Sequence, residues 1–215
     1  MDDTLYDERT FVVSGFHAVA GYVSDRFHVD QQGIFSAMME VFSTEGRGKV
    51  FDKALERCGL YSPTLVEELV HVYRSHQPQI TLYPDVIPAL TALKECGVKL
   101  GIVTDGLHSV QKRKVAALGL IGLVDVIVYT DELGRDHWKP SPVGFLCALE
   151  RLAVEPTRAA YVGNDPAKDF AGPKAMGMLT VHLDRSSKLA QETDCEAQAH
   201  IAELAELVQL VAGKE

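Results

Sequence analysis

A parallel α/β sheet interrupted by an all-helical insertion is the fold this sequence predicts, on three observations. Up to about residue 80, apolar residues recur at helical spacing and no strand pattern intervenes. Beyond it, short apolar runs alternate with amphipathic stretches, as in strand–helix–strand units. Length and composition fit one large domain, or a core with a smaller insertion: 215 residues, 47% hydrophobic and 24% charged.

The elements follow in chain order. Phe11, Val12, Phe16, Val19, Tyr22, Val23 and Phe27 line one face of a first helix. "GIFSAMMEVFSTEG" is a second, with Gly46 as its stop. "GKVFDKALERCGL" is a third, ended by Gly59. "SPTLVEELVHVYRSH" is a fourth, with Ser62 as N-cap and Pro63 in the first turn. Then "VKLGIVT" (98–104) reads as a strand, "SVQKRKVAALGL" as a helix and "VDVIVY" (124–129) as a second strand. "SPVGFLCALERLAV" is a helix with Ser141 as N-cap and Pro142 at its start. "AAYVG" (159–163) and "LTVHL" (179–183) are further strands, and "AHIAELAELVQLV" closes the chain as an amphipathic helix. Apolar strands alternating with helices imply a parallel sheet covered on both faces.

Charge and cysteine usage narrow the function classes. The net charge of −9 and pI of about 5.4 argue against a nucleic-acid partner. Cys58, Cys96, Cys147 and Cys195 show no CxxC pair and no metal-ligand spacing, so they read as free thiols in a reducing compartment. No signal peptide and no run of 18 apolar residues is found. A cytoplasmic protein without a membrane partner is expected. The eight histidines show no paired spacing at a strand end and read as structural or surface residues.

Ligands of parallel sheets bind beyond the carboxyl ends of the strands, so those positions carry the functional reading. Thr104, Asp105 and Gly106 follow the first strand, where a hydroxyl and a Gly-containing turn can supply donors to an anion. Lys139 precedes a helix in a segment stiffened by Pro140 and Pro142. Asp165 and Asp169, four apart after "AYVG", can hold a hard cation such as Mg²⁺ or can be acids favoured by a helix dipole. Singly each has a bland alternative: a Thr cap, a solvated Lys, helix-terminal acids. Together with Asp2, Asp3 and Thr4 of the opening "MDDTLYDE" they match phosphoryl transfer from an ester to a carboxylate, with Mg²⁺ bridging the two.

The set resembles the four motifs of the haloacid dehalogenase superfamily. "IVTDG" resembles its second motif, "WKPSP" its third and "YVGNDPAKD" its fourth. "LYPDVIPALTALKECGVKLGIVTDG" resembles the run into the second. The resemblance implies a Rossmann-like core over 1–10 and 81–215, with a helical cap inserted at 11–80. It implies an Mg²⁺-dependent phosphatase that passes through an aspartyl-phosphate. Asp2 would be the general acid/base and its carbonyl a metal ligand. Thr104 and Lys139 would hold the phosphoryl group with Asp105 and Gly106. Asp165 would bind the metal, with Asp169 reaching it less directly. In "STEGRGKVFD", Arg47 and Lys49 would meet an anionic substrate, or would simply sit in a solvated loop.

The first motif, D-x-D-x-T, aligns on Thr4 with Asp2 as its second acid. The attacking Asp is then expected immediately before Met1, on an apolar strand central to the sheet. A start assigned at an internal Met is the favoured explanation. A non-catalytic remnant or binding protein, and Asp2 or Asp3 as a replacement nucleophile, are the alternatives. A sugar-phosphate mutase shares every motif; a 2-haloacid dehalogenase also attacks with an Asp but would need no Mg²⁺, so Asp2 and the acidic loop around Asp165 favour a phosphatase; a receiver module lacks the helical insert. The expected ligand is a small phosphorylated metabolite, and the expected state a monomer or homodimer.

Overall fold

Helix boundaries in the first half of the chain follow its capping chemistry. In the computed structural model, which describes residues 1–185 and 197–212, α1 runs over Glu8–Phe27, α2 over Gln31–Glu45, α3 over Val50–Arg57 and α4 over Pro63–Ser75. Asp30 caps α2 by accepting from the backbone N–H groups of Gln32 and Gly33. Gly46 ends it at φ 77°, a left-handed conformation that costs glycine little. The Ser62 hydroxyl accepts from the Leu65 N–H at the start of α4, with Pro63 in the first turn. These helices share one core, in which Phe16, Val19, Val23, Met38, Val41 and Leu69 are almost fully buried.

The chain divides into two compact units, Glu8–Ile80 and Met1–Asp7 with Thr81–Glu215. In the second, helices α5 (Val86–Glu95), α6 (His108–Ala117), α7 (Val143–Leu152), α8 (Ala171–Ala175) and α9 (Leu204–Ala212) accompany five strands among the described residues. The strands are β1 (Gly101–Thr104), β2 (Val126–Tyr129), β3 (Ala160–Gly163), β4 (Leu179–Leu183) and β5 (Ala199–Ile201). All pairings among them are parallel.

Among the described residues the strands fall into two sheets. β1 pairs with β2, from Gly101 opposite Val126 to Thr104 opposite Tyr129. β3, β4 and β5 form a separate sheet in that order. Between β1 and β3 lies an apolar cavity of about 920 Å³, lined by both strands, α5, α7, α9 and Met1. Beside it, Val103, Val128, Phe145, Ala148, Leu149 and Met178 pack as a core.

Two segments depart from expectation. The closing amphipathic stretch begins as a strand: Ala199, His200 and Ile201 pair with Val181, His182 and Leu183, and only then does α9 start. Tertiary pairing overrides the helical spacing there. The α7 helix begins at Val143, with Pro142 rather than Ser141 at the cap position. Cys58, Cys96 and Cys147 are free thiols, while Cys195 lies outside the described residues. Among the described residues no helix is long and apolar enough to cross a membrane.

Candidate active site

The opening residues form a tight turn that gathers the site. The Met1 carbonyl accepts from the N–H groups of Thr4 and Leu5, and Asp3 takes the left-handed conformation at φ 51°. Leu5 then accepts from the Tyr83 N–H, and the Thr4 carbonyl accepts from Arg185 Nε at 2.9 Å. The turn is thus fixed from two distant segments, as a site needs if its groups are to hold position.

Asp2 sits at the centre of a hydrogen-bonded cluster. Its Oδ1 accepts from Lys114 Nζ at 2.8 Å and from the Tyr6 hydroxyl; its Oδ2 accepts from Gln111 Nε2 at 3.1 Å. Burial alone would raise its pKa. The Lys114 charge, the nearby chain amine and the Tyr6 hydrogen bond outweigh burial and hold it down at about 2. Gln111 also donates to Thr104 Oγ1 at 2.6 Å, so one side chain joins the turn to the end of β1. Lys114 and Gln111 lie on α6 and are buried. Sequence reasoning missed both, along with Tyr6. Their one signal was the i, i+3 spacing of two polar residues on a single face of the helix after "IVTDG".

Thr104, at the end of β1, is 3% exposed. Asp105 does not project as a free acid: its Oδ1 accepts from the Thr130 hydroxyl at 2.7 Å and the Lys139 N–H at 3.3 Å. It ties the Lys139 segment to the strand end rather than offering a donor. Gly106 turns at φ 114°, and a Cβ there would come 3.3 Å from the Gln111 side chain.

Lys139 is buried against Asp169. Nζ lies 2.7 Å from Asp169 Oδ1 and 3.1 Å from the Tyr161 hydroxyl, and Asp169 Oδ2 accepts from the N–H groups of Asn164 and Asp165. Burial would lower the Lys139 pKa, but Tyr161 and Asp169 raise it above the ordinary lysine range. Burial pushes the Tyr161 hydroxyl up to about 12. Burial would also raise Asp169, yet Lys139 holds it below the usual carboxylate range. The group expected to reach a cation is therefore the counter-ion of Lys139, with both oxygens engaged.

Asp165 is half-buried: Oδ1 accepts from the Ala167 N–H, and Oδ2 pairs with Lys168 at 3.0 Å. No cluster of three or more His, Cys, Asp or Glu side chains able to hold a metal is found among the described residues. Neutral oxygens do converge. The Thr4 hydroxyl lies 3.1 Å from Asn164 Oδ1 and 3.3 Å from the Asp2 carbonyl. The structure thus brings Asp2, Thr104, Lys139, Asp169 and Asn164 to one end of the strands. Arg47 and Lys49 belong to the helical unit: Arg47 makes a two-pronged pair with Glu8, and Lys49 is exposed at the start of α3.

Comparison with known proteins places these groups in a family. Residues 1–183 match the model of the haloacid dehalogenase-like hydrolases. The chain is 30% identical over 218 residues to a glyceraldehyde 3-phosphate phosphatase of Methanocaldococcus jannaschii, covering 98% of this chain and 94% of that one. A phosphatase of the same name from Methanopyrus kandleri is 34% identical over 86% of this chain and 82% of its own. The crystal structure of a haloacid dehalogenase-type phosphatase from Thermococcus onnurineus superposes with a TM-score of 0.65 at 28% identity, covering 99% of this chain and 95% of that one. Since both the family match and these near full-length likenesses run through the strand ends that carry the site, the chain belongs to the haloacid dehalogenase-like hydrolases, as a phosphatase.

Proposed function

We propose that the protein hydrolyses small phosphate monoesters in two steps, with attack by a carboxylate borne immediately before Met1. The carrying observation is the convergence of Asp2, Thr104 and the Lys139–Asp169 pair on the Met1–Tyr6 turn. The α-nitrogen of Met1 is buried, with Lys139, Asp2, Asp169 and Lys114 as its charged surroundings. A residue attached there stands within the field of Lys139.

The carboxylate oxygen attacks phosphorus as the ester P–O bond breaks, and the leaving alkoxide takes a proton from solvent, which is returned when Asp2 gives up the proton it takes from water in the second step. Water then splits the acyl phosphate, giving its proton to Asp2 and releasing inorganic phosphate. Asp2, kept ionised by Lys114 and Tyr6, suits this second role as base. Thr104 is placed to donate to a phosphoryl oxygen, and the ammonium of Lys139 to offset charge on the phosphoryl group. Mg²⁺ fits the oxygen-only donor set formed by the Asp2 carbonyl, Asn164 and Asp165, and when bound would offset phosphoryl charge. Asp169 supports Lys139 instead.

The substrate class we infer is a small organic phosphate of the kind named in the relatives, glyceraldehyde 3-phosphate among them. Lys49 is the better candidate for substrate choice in the helical unit, since the Arg47 guanidinium is already held by Glu8. The test is phosphate release from glyceraldehyde 3-phosphate and from p-nitrophenyl phosphate. Three forms are compared: the chain from Met1, an extended form ending in Asp before Met1, and one ending in Asn there. Turnover by the Asp form alone, abolished by a chelator and restored by Mg²⁺, is the expected result. Full turnover by the chain from Met1 would sink the placement of the attacking group.

A further inference from the structure

Gln111 is a polar residue near the start of α6, yet it is only 2% exposed. Burying an amide costs free energy unless its hydrogens find acceptors. Here both do. Nε2 lies 2.6 Å from Thr104 Oγ1 and 3.1 Å from Asp2 Oδ2. Gly106, at φ 114°, leaves room for this, since a Cβ there would stand 3.3 Å from Gln111 Cδ.

The neighbours fix which way round the amide sits. Asp2 Oδ1 accepts from Lys114 Nζ at 2.8 Å and from the Tyr6 hydroxyl. The Asp2 carboxylate is thus the anion of an ion pair and has no hydrogen to offer. Turned over, the amide would set its carbonyl oxygen against Asp2 Oδ2, two acceptors with nothing between them. The NH₂ edge therefore faces Asp2, and its second hydrogen goes to Thr104. That settles the Thr104 hydroxyl in turn. Its oxygen already accepts, so its own hydrogen points away from Gln111. No other side chain among the described residues bonds to Thr104 Oγ1. The backbone of Thr104 is pinned as well, since its carbonyl accepts from the Thr130 hydroxyl at 3.2 Å.

We propose that Gln111 is a positioning residue, which uses both amide hydrogens to hold the Thr104 hydroxyl as a one-way donor toward a phosphoryl oxygen. This role rests on the reading of Thr104 as a phosphoryl donor, and adds the group that aims it. A hydroxyl aimed before the anion arrives needs no reorganisation when it binds. Gln111 itself need not touch the substrate. Through it, the acid/base group Asp2 and the phosphoryl donor Thr104 keep a set spacing.

The test reads binding of inorganic phosphate by calorimetry in the presence of Mg²⁺, so it needs no turnover. Gln111→Met, which removes both amide hydrogens at similar length, is made in three backgrounds: native, Thr104→Ser and Thr104→Val. In the first two, which keep the hydroxyl, it is expected to weaken phosphate binding about tenfold. In the Thr104→Val background, itself about tenfold weaker than native, it should change affinity by less than about twofold. Gln111→Glu, close to glutamine in shape but unable to donate when ionised, should cost at least as much, and serves if Gln111→Met does not fold. Circular dichroism melts establish that each form is folded. A merely structural role for Gln111 gives equal losses in all three backgrounds. That result would overturn the proposal while leaving Thr104 as the phosphoryl donor. Unchanged affinity in Thr104→Val, or no phosphate binding by the native chain, would instead sink the reading of Thr104 and the proposal with it.

Discussion

At the scale of single residues, Asp2 is held by charge and hydrogen bonds more than by packing. Its pKa, down at about 2 against an ordinary 3.8, fixes the sign of a pH effect. The unfolded chain binds the proton first as pH falls. The contribution is therefore fully present above about pH 4 and is lost as pH falls through 2; at 1.36 kcal/mol per unit it is on the order of 2 kcal/mol. Urea unfolding of the native chain and of Asp2→Asn between pH 5 and 2 should show the native chain losing more stability by that amount. Parallel curves would mean that Lys114 and Tyr6 do not hold the carboxylate in solution. Gly163 offers a second residue-level expectation. A Cβ there would come 2.5 Å from Asp169 Oδ2, so Gly163→Ala must displace the carboxylate that anchors Lys139. We expect a loss of about 1–3 kcal/mol, with turnover of the active form falling further than stability explains. Thr104 and Asp169 stand out in the sequence because they come after apolar strands, and Lys139 because Pro140 and Pro142 stiffen its segment; the structure joins Lys139 to Asp169 and Thr104 to Gln111. Lys114 and Gln111 do not stand out, because a polar residue inside a helix usually faces solvent, and only the fold shows that this face is buried.

At the scale of elements, capping and periodicity decide most boundaries, and close packing decides what the periodicity leaves open. Ser62, Pro63 and Gly46 acted as read, since each works through its own backbone neighbourhood. The segment 199–201 was misread because its partner, β4, lies far away in sequence and the local spacing favours a helix. The separation of β1 from β3 was likewise invisible, since each run looks like any buried strand. Gly15 gives the element-scale prediction. It sits mid-helix in α1, where glycine ordinarily costs about 1 kcal/mol relative to alanine. Yet a Cβ at Gly15 would stand 2.3 Å from Cε2 of Tyr73 on α4. Gly15→Ala should therefore destabilise the helical unit by about 1–3 kcal/mol despite the gain in propensity. In a Tyr73→Leu background the same change should become neutral or favourable, because the obstructing ring is gone. A double-mutant cycle on thermal melts reads the difference, and equal effects in both backgrounds would refute the clash.

At the scale of the whole molecule, the two units differ in how completely they are filled. The helical unit has a continuous core running from Val12 to Leu69. The sheet unit holds the cavity of about 920 Å³ between β1 and β3. β1 and β3 border this space, whereas α1 to α4 pack through a continuous core of their own. The chain from Met1 should then unfold in stages. Peptides spanning Gly101–Thr104 and Ala160–Gly163 should exchange amide hydrogens at least tenfold faster than peptides within α1 and α4. Heating should release the sheet unit before the helical one. Mass-resolved hydrogen exchange at several temperatures separates the two, since the peptides of each unit are distinct in sequence. Loss of protection in both units in one cooperative step would show that the cavity is no weak point and that the walls meet in solution.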